Sequence, residues 1–385
     1  MDLMDFRRIN GTSGDLTSQP MHMLMPGGQG DNDTAEMTYF DPDRSSAYVF
    51  SRRVQTVVIP FICVLGVVGN VLAIGTFLST SLRTTSCCLY LAAKSFFDIG
   101  FLLSLSVMWL YQLRVPLLTT TGVCQVTVYL TYVCGCLSVW FVVLITLENF
   151  VRFTRPRMVP RHCTVFRARR LIPAMTIFAA VLYNFSLWTT GVVVAPDGTL
   201  HCTSLLEFEN IVTVLTLIDT ALTLVLPSLI MIFLILAIVV KVVESFKRKK
   251  RLRSVVQRAH TRRRLTPEGK MTTFLFAISV IFLLLNTPTH AIRLKMMIEL
   301  YLQGTAPSYN DWILQRFFEV LFYLNFSTNC LVYMVFGENF RHVFLARYLD
   351  RCLHKGNIHN EESDVSPILL HRRTHAEEPS LATDI

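Results

Sequence analysis

Seven apolar stretches divide the chain, at about 54–79, 86–112, 121–153, 169–194, 210–244, 266–300 and 312–336, with shorter polar and basic connections between them. A helix rises about 1.5 Å per residue, so roughly 20 apolar residues cross a hydrocarbon core about 30 Å thick. Inside that core every backbone polar group needs an internal partner, which a continuous helix supplies. The pattern therefore predicts an all-α membrane protein, a seven-transmembrane helix bundle over 54–336. The fourth stretch has the least clean start, because Arg169, Arg170 and Pro173 crowd it.

The flanks read differently. Residues 1–53 are polar, rich in Gly, Asp, Ser and Met, and carry no helical or strand period, which predicts a disordered extracellular tail. The first residues, Met1 to Arg8, lack an apolar core, so no cleavable signal is expected and the first span is expected to serve as the uncleaved signal. Asn10-Gly11-Thr12 and Asn32-Asp33-Thr34 are glycosylation sequons. After the seventh span, residues 337–350 alternate apolar and basic positions at helical spacing, the pattern of an amphipathic helix on a membrane surface. Cys352 is a palmitoylation candidate, with an unmodified thiol the alternative. Residues 351–385 read as a disordered cytoplasmic tail.

Charge fixes the expected orientation. Only 16% of the 385 residues are charged, yet the formal net charge is +9. The connection after the third span holds Arg152, Arg155, Arg157, Arg161, Arg167, Arg169 and Arg170, and 247–264 after the fifth is dense in Lys and Arg. The alternate connections hold Arg114 alone, or acids alone (Asp197, Glu207, Glu209). Lys and Arg stay in the cytoplasm, so the N-terminus is expected outside and the C-terminus inside, in the plasma membrane. The basic residues thus report topology rather than nucleic-acid binding. The 10 cysteines form no CxxC pairs of metal spacing, and neither an HExxH motif nor a nucleophile–base spacing appears. No enzyme chemistry, metal or cofactor is expected.

Several local signatures are more specific. Gly69-Asn70-Val71 lies in the first span, Asp98 in the second, Cys124 at the start of the third and Cys202 after the fourth. Pro227 sits in the fifth span, Phe282 and Pro288 in the sixth, and Asn325-Phe326-Ser327-Thr328-Asn329-Cys330-Leu331-Val332-Tyr333 ends the seventh. With the seven spans, these resemble the rhodopsin-like G-protein-coupled receptors over about 54–350. The resemblance implies a Cys124–Cys202 disulfide and hinges at Pro227 and Pro288. It also implies a polar core in which Asp98, Ser138, Asn325 and Asn329 bind sodium, and partnership with a heterotrimeric G protein and arrestin.

The departures from that pattern matter as much. Glu148-Asn149-Phe150 stands where the family has an acidic residue followed by arginine. Asn149 forms no ion pair, so Glu148 loses its restraint unless Arg152 or Arg155 substitutes. Asn286 stands where the sixth span usually carries tryptophan, Cys330 replaces a proline, and Tyr333 is retained. Lys94 lies one helical turn before Asp98; it either snorkels to the interface or pairs with Asp98 in place of the ion.

The ligand class is narrowed by residue type. Thr131 occupies the place where amine receptors carry an aspartate, and Tyr323 that of the opsins' lysine, so neither chemistry is available. The outer halves instead hold Asp219, His290, Arg293, Arg316 and Glu319, with Trp109, Tyr132 and Tyr323 as aromatic surface. Both charge signs in a polar cleft suit an extracellular peptide ligand, with Asp219 or Glu319 pairing a basic ligand residue. The alternative is that these charges are solvated helix ends. Cys88–Ala93, Gly122–Gln125, Thr131–Cys134 and Leu137–Trp140 are similar to invertebrate neuropeptide receptors, including relatives of the FMRFamide receptors.

On the cytoplasmic side, 247–264 suits G-protein contact and anionic membrane lipid, the latter contributing about 1 kcal/mol per basic residue. Thr383-Asp384-Ile385 has the form read by PDZ domains, and Ser363, Ser366, Thr374, Ser380 and Thr383 are arrestin-type phosphorylation candidates. The expected function is a G-protein-coupled neuropeptide receptor. The alternatives are a seven-helix protein with atypical or weak coupling, or a transporter.

Overall fold

A computed structural model of the chain describes residues 23–24, 39–40, 46–195, 198–255, 267–305 and 307–349. Asn10, Asn32, Cys352, the terminal PDZ-type sequence and the tail phosphorylation candidates lie outside these residues. The chain divides into two units, 1–341 and 342–385.

Among the described residues, six helices are long and apolar enough to cross a membrane: Ser46–Phe77, Ser86–Gln112, Val123–Thr154, Val165–Thr189, Leu206–Ser245 and Met271–Leu300. Tyr309–Ser327 and Asn329–Phe336 together make the seventh span, bent by 58°. Large apolar side chains such as Phe61, Leu65, Ile177, Phe178 and Val181 face outward, while Asn70, Asp98, Ser138, Asn149 and Asn286 are buried. This is the distribution for a helix bundle whose surroundings are hydrocarbon. The first helix packs on the second and seventh, and the third packs on the second, fifth and sixth.

Three local structures differ from the reading of the sequence. The fourth apolar stretch does not stay helical to 194: Thr190–Val194 pairs antiparallel with Leu200–Ser204, with Val192 opposite Cys202. An uninterrupted Val192-Val193-Val194 run suits a strand as well as a helix, and the neighbouring strand decides between them. The fifth span carries a π-helical turn at Ala221–Val225, just before Pro227. The Trp140 indole on the third span donates to the Leu222 carbonyl within that turn at 3.1 Å. The seventh span breaks without a proline. The hydroxyls of Thr328 (2.8 Å) and Ser327 (3.4 Å) both donate to the Leu324 carbonyl, competing with the backbone at the bend.

The second-span approach to the first is equally close. A Cβ on Gly66 would fall 2.6 Å from Leu102 Cδ1 and 2.8 Å from Ser327 Cβ, so glycine lets three spans meet there. Beyond the seventh span a helix runs over Glu338–Phe344, and a π-helical turn follows at Leu345–Leu349. The basic stretch after the fifth span is helical through Val255, and residues 256–266 lie outside the described set.

Candidate functional site

In mid-bundle, Lys94 Nζ and Asn329 Nδ2 each donate to Asp98 Oδ2 at 2.6 Å, and Ser138 Oγ donates to Oδ1 at 2.5 Å. Lys94 is 1% exposed and Asp98 0%, so the lysine pairs with the aspartate rather than snorkelling. Three spans meet on one carboxylate. Asn325 was expected in this cluster but is not among the partners of Asp98; it is buried, and its Nδ2 has no hydrogen-bond partner among the described residues. Asn70 donates to the carbonyls of Gly66 and Phe326, both at 2.8 Å, tying the first span to the seventh.

Toward the hairpin end lies a cavity of about 170 Å³. Thr131, Tyr132, Asp219, His290, Arg293 and Tyr323 line it, together with Phe101, Gln315 and Phe322. Tyr132 stacks on Tyr183 at 5.4 Å, and the Tyr183 hydroxyl donates to Asp219 Oδ1 at 2.6 Å. Among the described residues no ion pair reaches Asp219. Arg293 differs: Glu319 Oε1 lies 3.2 Å from its Nη2, and the Phe322 ring centroid lies 5.8 Å from its guanidinium carbon.

Three expected lining residues are elsewhere. Trp109 donates to the Thr56 carbonyl at 2.8 Å, joining the second span to the first. Arg316 is outside the cavity lining, and its carbonyl accepts from Gln55. Glu319 is 1% exposed and sits behind Arg293, neither a solvated helix end nor a lining group. Sequence spacing assigns a helical face but not which neighbour that face meets. Gln55 and Gln315, which donate to Glu319, carried no signal as isolated amides. The Lys295–Asp311 pair, at 2.6 Å between the sixth span and the start of the seventh, was also missed.

The hairpin is fixed at two points. Cys124 and Cys202 form a disulfide with Cα atoms 5.6 Å apart. Tyr111, near the end of the second span, donates to the Leu200 carbonyl at 3.0 Å and lies 2.9 Å from His201 Nδ1.

In the sixth span Asn286 donates to the Phe282 carbonyl at 2.6 Å, two residues before Pro288. Phe282 packs with Val139, Val142, Val143 and Met231. At the end of the bundle opposite the hairpin, Glu148 accepts from Ser86 Oγ (2.8 Å) and Cys87 Sγ (2.9 Å), and Arg152 lies at 3.5 Å. Arg152, not Arg155, pairs with Glu148. Asn149 is buried, and neither its Nδ2 nor its Oδ1 has a partner among the described residues. Thr146 and Ser279 hydroxyls meet at 2.8 Å between the third and sixth spans. Tyr333 is enclosed by the rings of Phe77 (5.0 Å), Phe274 (5.9 Å) and Phe340 (5.5 Å).

Apolar helices around a polar core, with a disulfide-anchored hairpin and a charged cavity at one end, define a multi-pass membrane receptor. The pattern of the 7 transmembrane receptor (rhodopsin family) matches residues 69–333, and the chain belongs to that family. It is 25% identical over 236 residues to the FMRFamide receptor of Drosophila melanogaster, covering 59% of this chain and 40% of that protein. It is 30% identical over 145 residues to the FMRFamide peptide receptor frpr-18 of Caenorhabditis elegans, covering 35% of this chain and 33% of that protein. The matched region thus spans well under half of either relative.

Proposed function

We propose that this protein is a plasma-membrane receptor for an extracellular neuropeptide, with its N-terminus outside, and that it activates heterotrimeric G proteins. The observation that carries the peptide reading is Asp219: a carboxylate lining the cavity with a hydroxyl partner and, among the described residues, no ion pair. A desolvated carboxylate of this kind favours a basic ligand side chain, and Phe101, Phe322 and Tyr323 offer aromatic surface beside it. The similarity to two FMRFamide receptors supports the same class, since that peptide carries arginine between apolar residues.

Orientation rests on the Lys and Arg bias of the connections. Asn70, Lys94, Asp98, Ser138, Glu148, Asn149, Pro227, Phe282, Asn286, Pro288, Asn325, Asn329 and Tyr333 are proposed to change partners on activation. Asn10 and Asn32 are proposed glycosylation sites, Cys352 a lipid anchor, and the C-terminal tail a contact for arrestin and a PDZ-domain protein. The test is a screen of amidated neuropeptides, FMRFamide among them, against cells expressing the receptor, read by calcium and cAMP. A peptide response lost in Asp219→Asn supports the assignment; binding of no peptide at all overturns it.

A second reading is favoured by Asn149, whose side chain supplies no charge where the family has arginine. The protein then binds its ligand but couples weakly. Ligand binding without signalling in the wild type, with signalling gained in Asn149→Arg, would select that reading.

A further inference from the structure

We propose that the start of the fourth span is a docking site for an acidic phospholipid, whose phosphate is held by Arg169 and Arg170 and whose acyl chain follows the outward face of that span. The orientation proposed above puts the site in the cytoplasmic leaflet. Its chemistry does not depend on which ligand the receptor binds.

The helix Val165–Leu182 has two distinct faces. Ala168 and Ala179 are its buried residues. They stand eleven positions apart, about three turns, and so share the face turned to the bundle. On the opposite side Phe166 is 61% exposed, Ile177 65% and Val181 71%. Arg170 lies four residues after Phe166 and seven before Ile177, which places it on this outward stripe. Its guanidinium carbon is 4.1 Å from the Phe166 ring centroid, a cation–π stack. The span continues to Thr189. At about 1.5 Å per residue, Arg170 lies about 28 Å from that end, close to the thickness of a hydrocarbon core. Arg170 and its neighbour Arg169 therefore sit where acyl chains give way to headgroup phosphates.

Charge points the same way. From 149 to 196 the chain holds seven arginines and no lysine, aspartate or glutamate. Arg152 pairs with Glu148, and Arg167 Nη1 lies 3.0 Å from His162 Nδ1. Arg161, Arg169 and Arg170 are exposed, and among the described residues no carboxylate pairs with any of them. A cation at the edge of hydrocarbon is favoured where an anion meets it. Stacking on Phe166 occupies the face of the Arg170 guanidinium and leaves its edge N–H donors for an acceptor. Those donors match two oxygens of one phosphate, a fit that lysine, as a point charge, does not offer. The outward stripe decides the occupant. A soluble partner such as a G protein reaches the connection before this helix but not Ile177 or Val181, which lie deeper in the membrane. A phospholipid meets the arginines with its phosphate and the stripe with its chain.

The experiment places the full-length receptor in phosphatidylcholine nanodiscs with a phosphatidylinositol 4,5-bisphosphate that carries a photoactivatable acyl chain. Cross-links are mapped by mass spectrometry. Wild type should be labelled within 165–182, and excess unlabelled phosphatidylinositol bisphosphate should suppress that label. Added phosphatidylcholine and soluble inositol trisphosphate should not. The Arg169→Gln/Arg170→Gln double variant should lose about tenfold or more of the label, since two charge-assisted contacts are removed. The double lysine variant, which keeps the charge without the donor fork, should fall between, as should Phe166→Leu, which removes the stack. Unchanged labelling in the glutamine variant would overturn the proposal and leave the arginines as solvated residues. Displacement by inositol trisphosphate as strong as by the lipid would overturn it in favour of a free phosphate compound. Unchanged labelling with reduced G-protein activation would overturn it in favour of a protein contact. No peptide is added, so these outcomes are separate from those that test the peptide-receptor reading.

Discussion

The Lys94 ammonium donates to the Asp98 carboxylate across 2.6 Å, with both side chains cut off from solvent. A cation supplied by the chain itself therefore occupies one side of Asp98, and Ser138 and Asn329 satisfy the rest of the carboxylate. The expected consequence is a receptor whose agonist affinity is the same in sodium and in a large organic cation. Lys94→Met should make sodium matter, because Asp98 then lacks a counter-ion. A several-fold sodium effect on the wild type would contradict this. The variant should also lose about 3–5 kcal/mol of thermal stability, the usual cost of leaving one member of a buried pair alone.

Glu148 is held mainly by Ser86 and Cys87, at 2.8 and 2.9 Å, with Arg152 farther off at 3.5 Å and part-exposed. A long, part-exposed pair contributes about 1 kcal/mol or less. Arg152→Met should therefore change basal signalling by less than about fivefold. Glu148→Gln alters all three contacts and should change it more. Equal effects in a constitutive cAMP or calcium assay would show that the arginine, not the Ser86–Cys87 pair, holds the glutamate.

Asn149 buries an amide whose oxygen and nitrogen both lack partners among the described residues. An unsatisfied buried polar group costs about 1–3 kcal/mol. Asn149→Leu, close in volume, should raise the melting temperature of the detergent-solubilised, ligand-free receptor. If the amide finds its partners only on activation, the same variant should also lower agonist-stimulated signalling. A drop in stability would mean that the amide is satisfied in the resting state.

Most of the fold was legible because membrane crossing imposes a length and an apolarity that residues 86–112 or 123–154 satisfy without any neighbour. The Cys124–Cys202 pairing came from resemblance rather than from spacing. The Val192–Val194 strand was hidden because a continuous apolar run has no period to separate helix from strand. The break after Ser327 was hidden because hydroxyl back-bonding, unlike proline, leaves no distinctive residue. For the cavity, sequence placed Asp219, Arg293 and Tyr323 on suitable faces. It did not show that Glu319 turns behind Arg293, because that depends on Gln55, 264 positions away along the chain.

The most direct measurement is a double-mutant cycle between Asp219 and a basic residue of the activating peptide, with arginine replaced by citrulline, its uncharged near-isostere. Wild-type receptor should lose about thirtyfold or more in affinity on that replacement, and Asp219→Asn should lose little further. If Asp219→Asn receptor still discriminates arginine from citrulline as strongly as wild type does, Asp219 is not the group that reads the peptide.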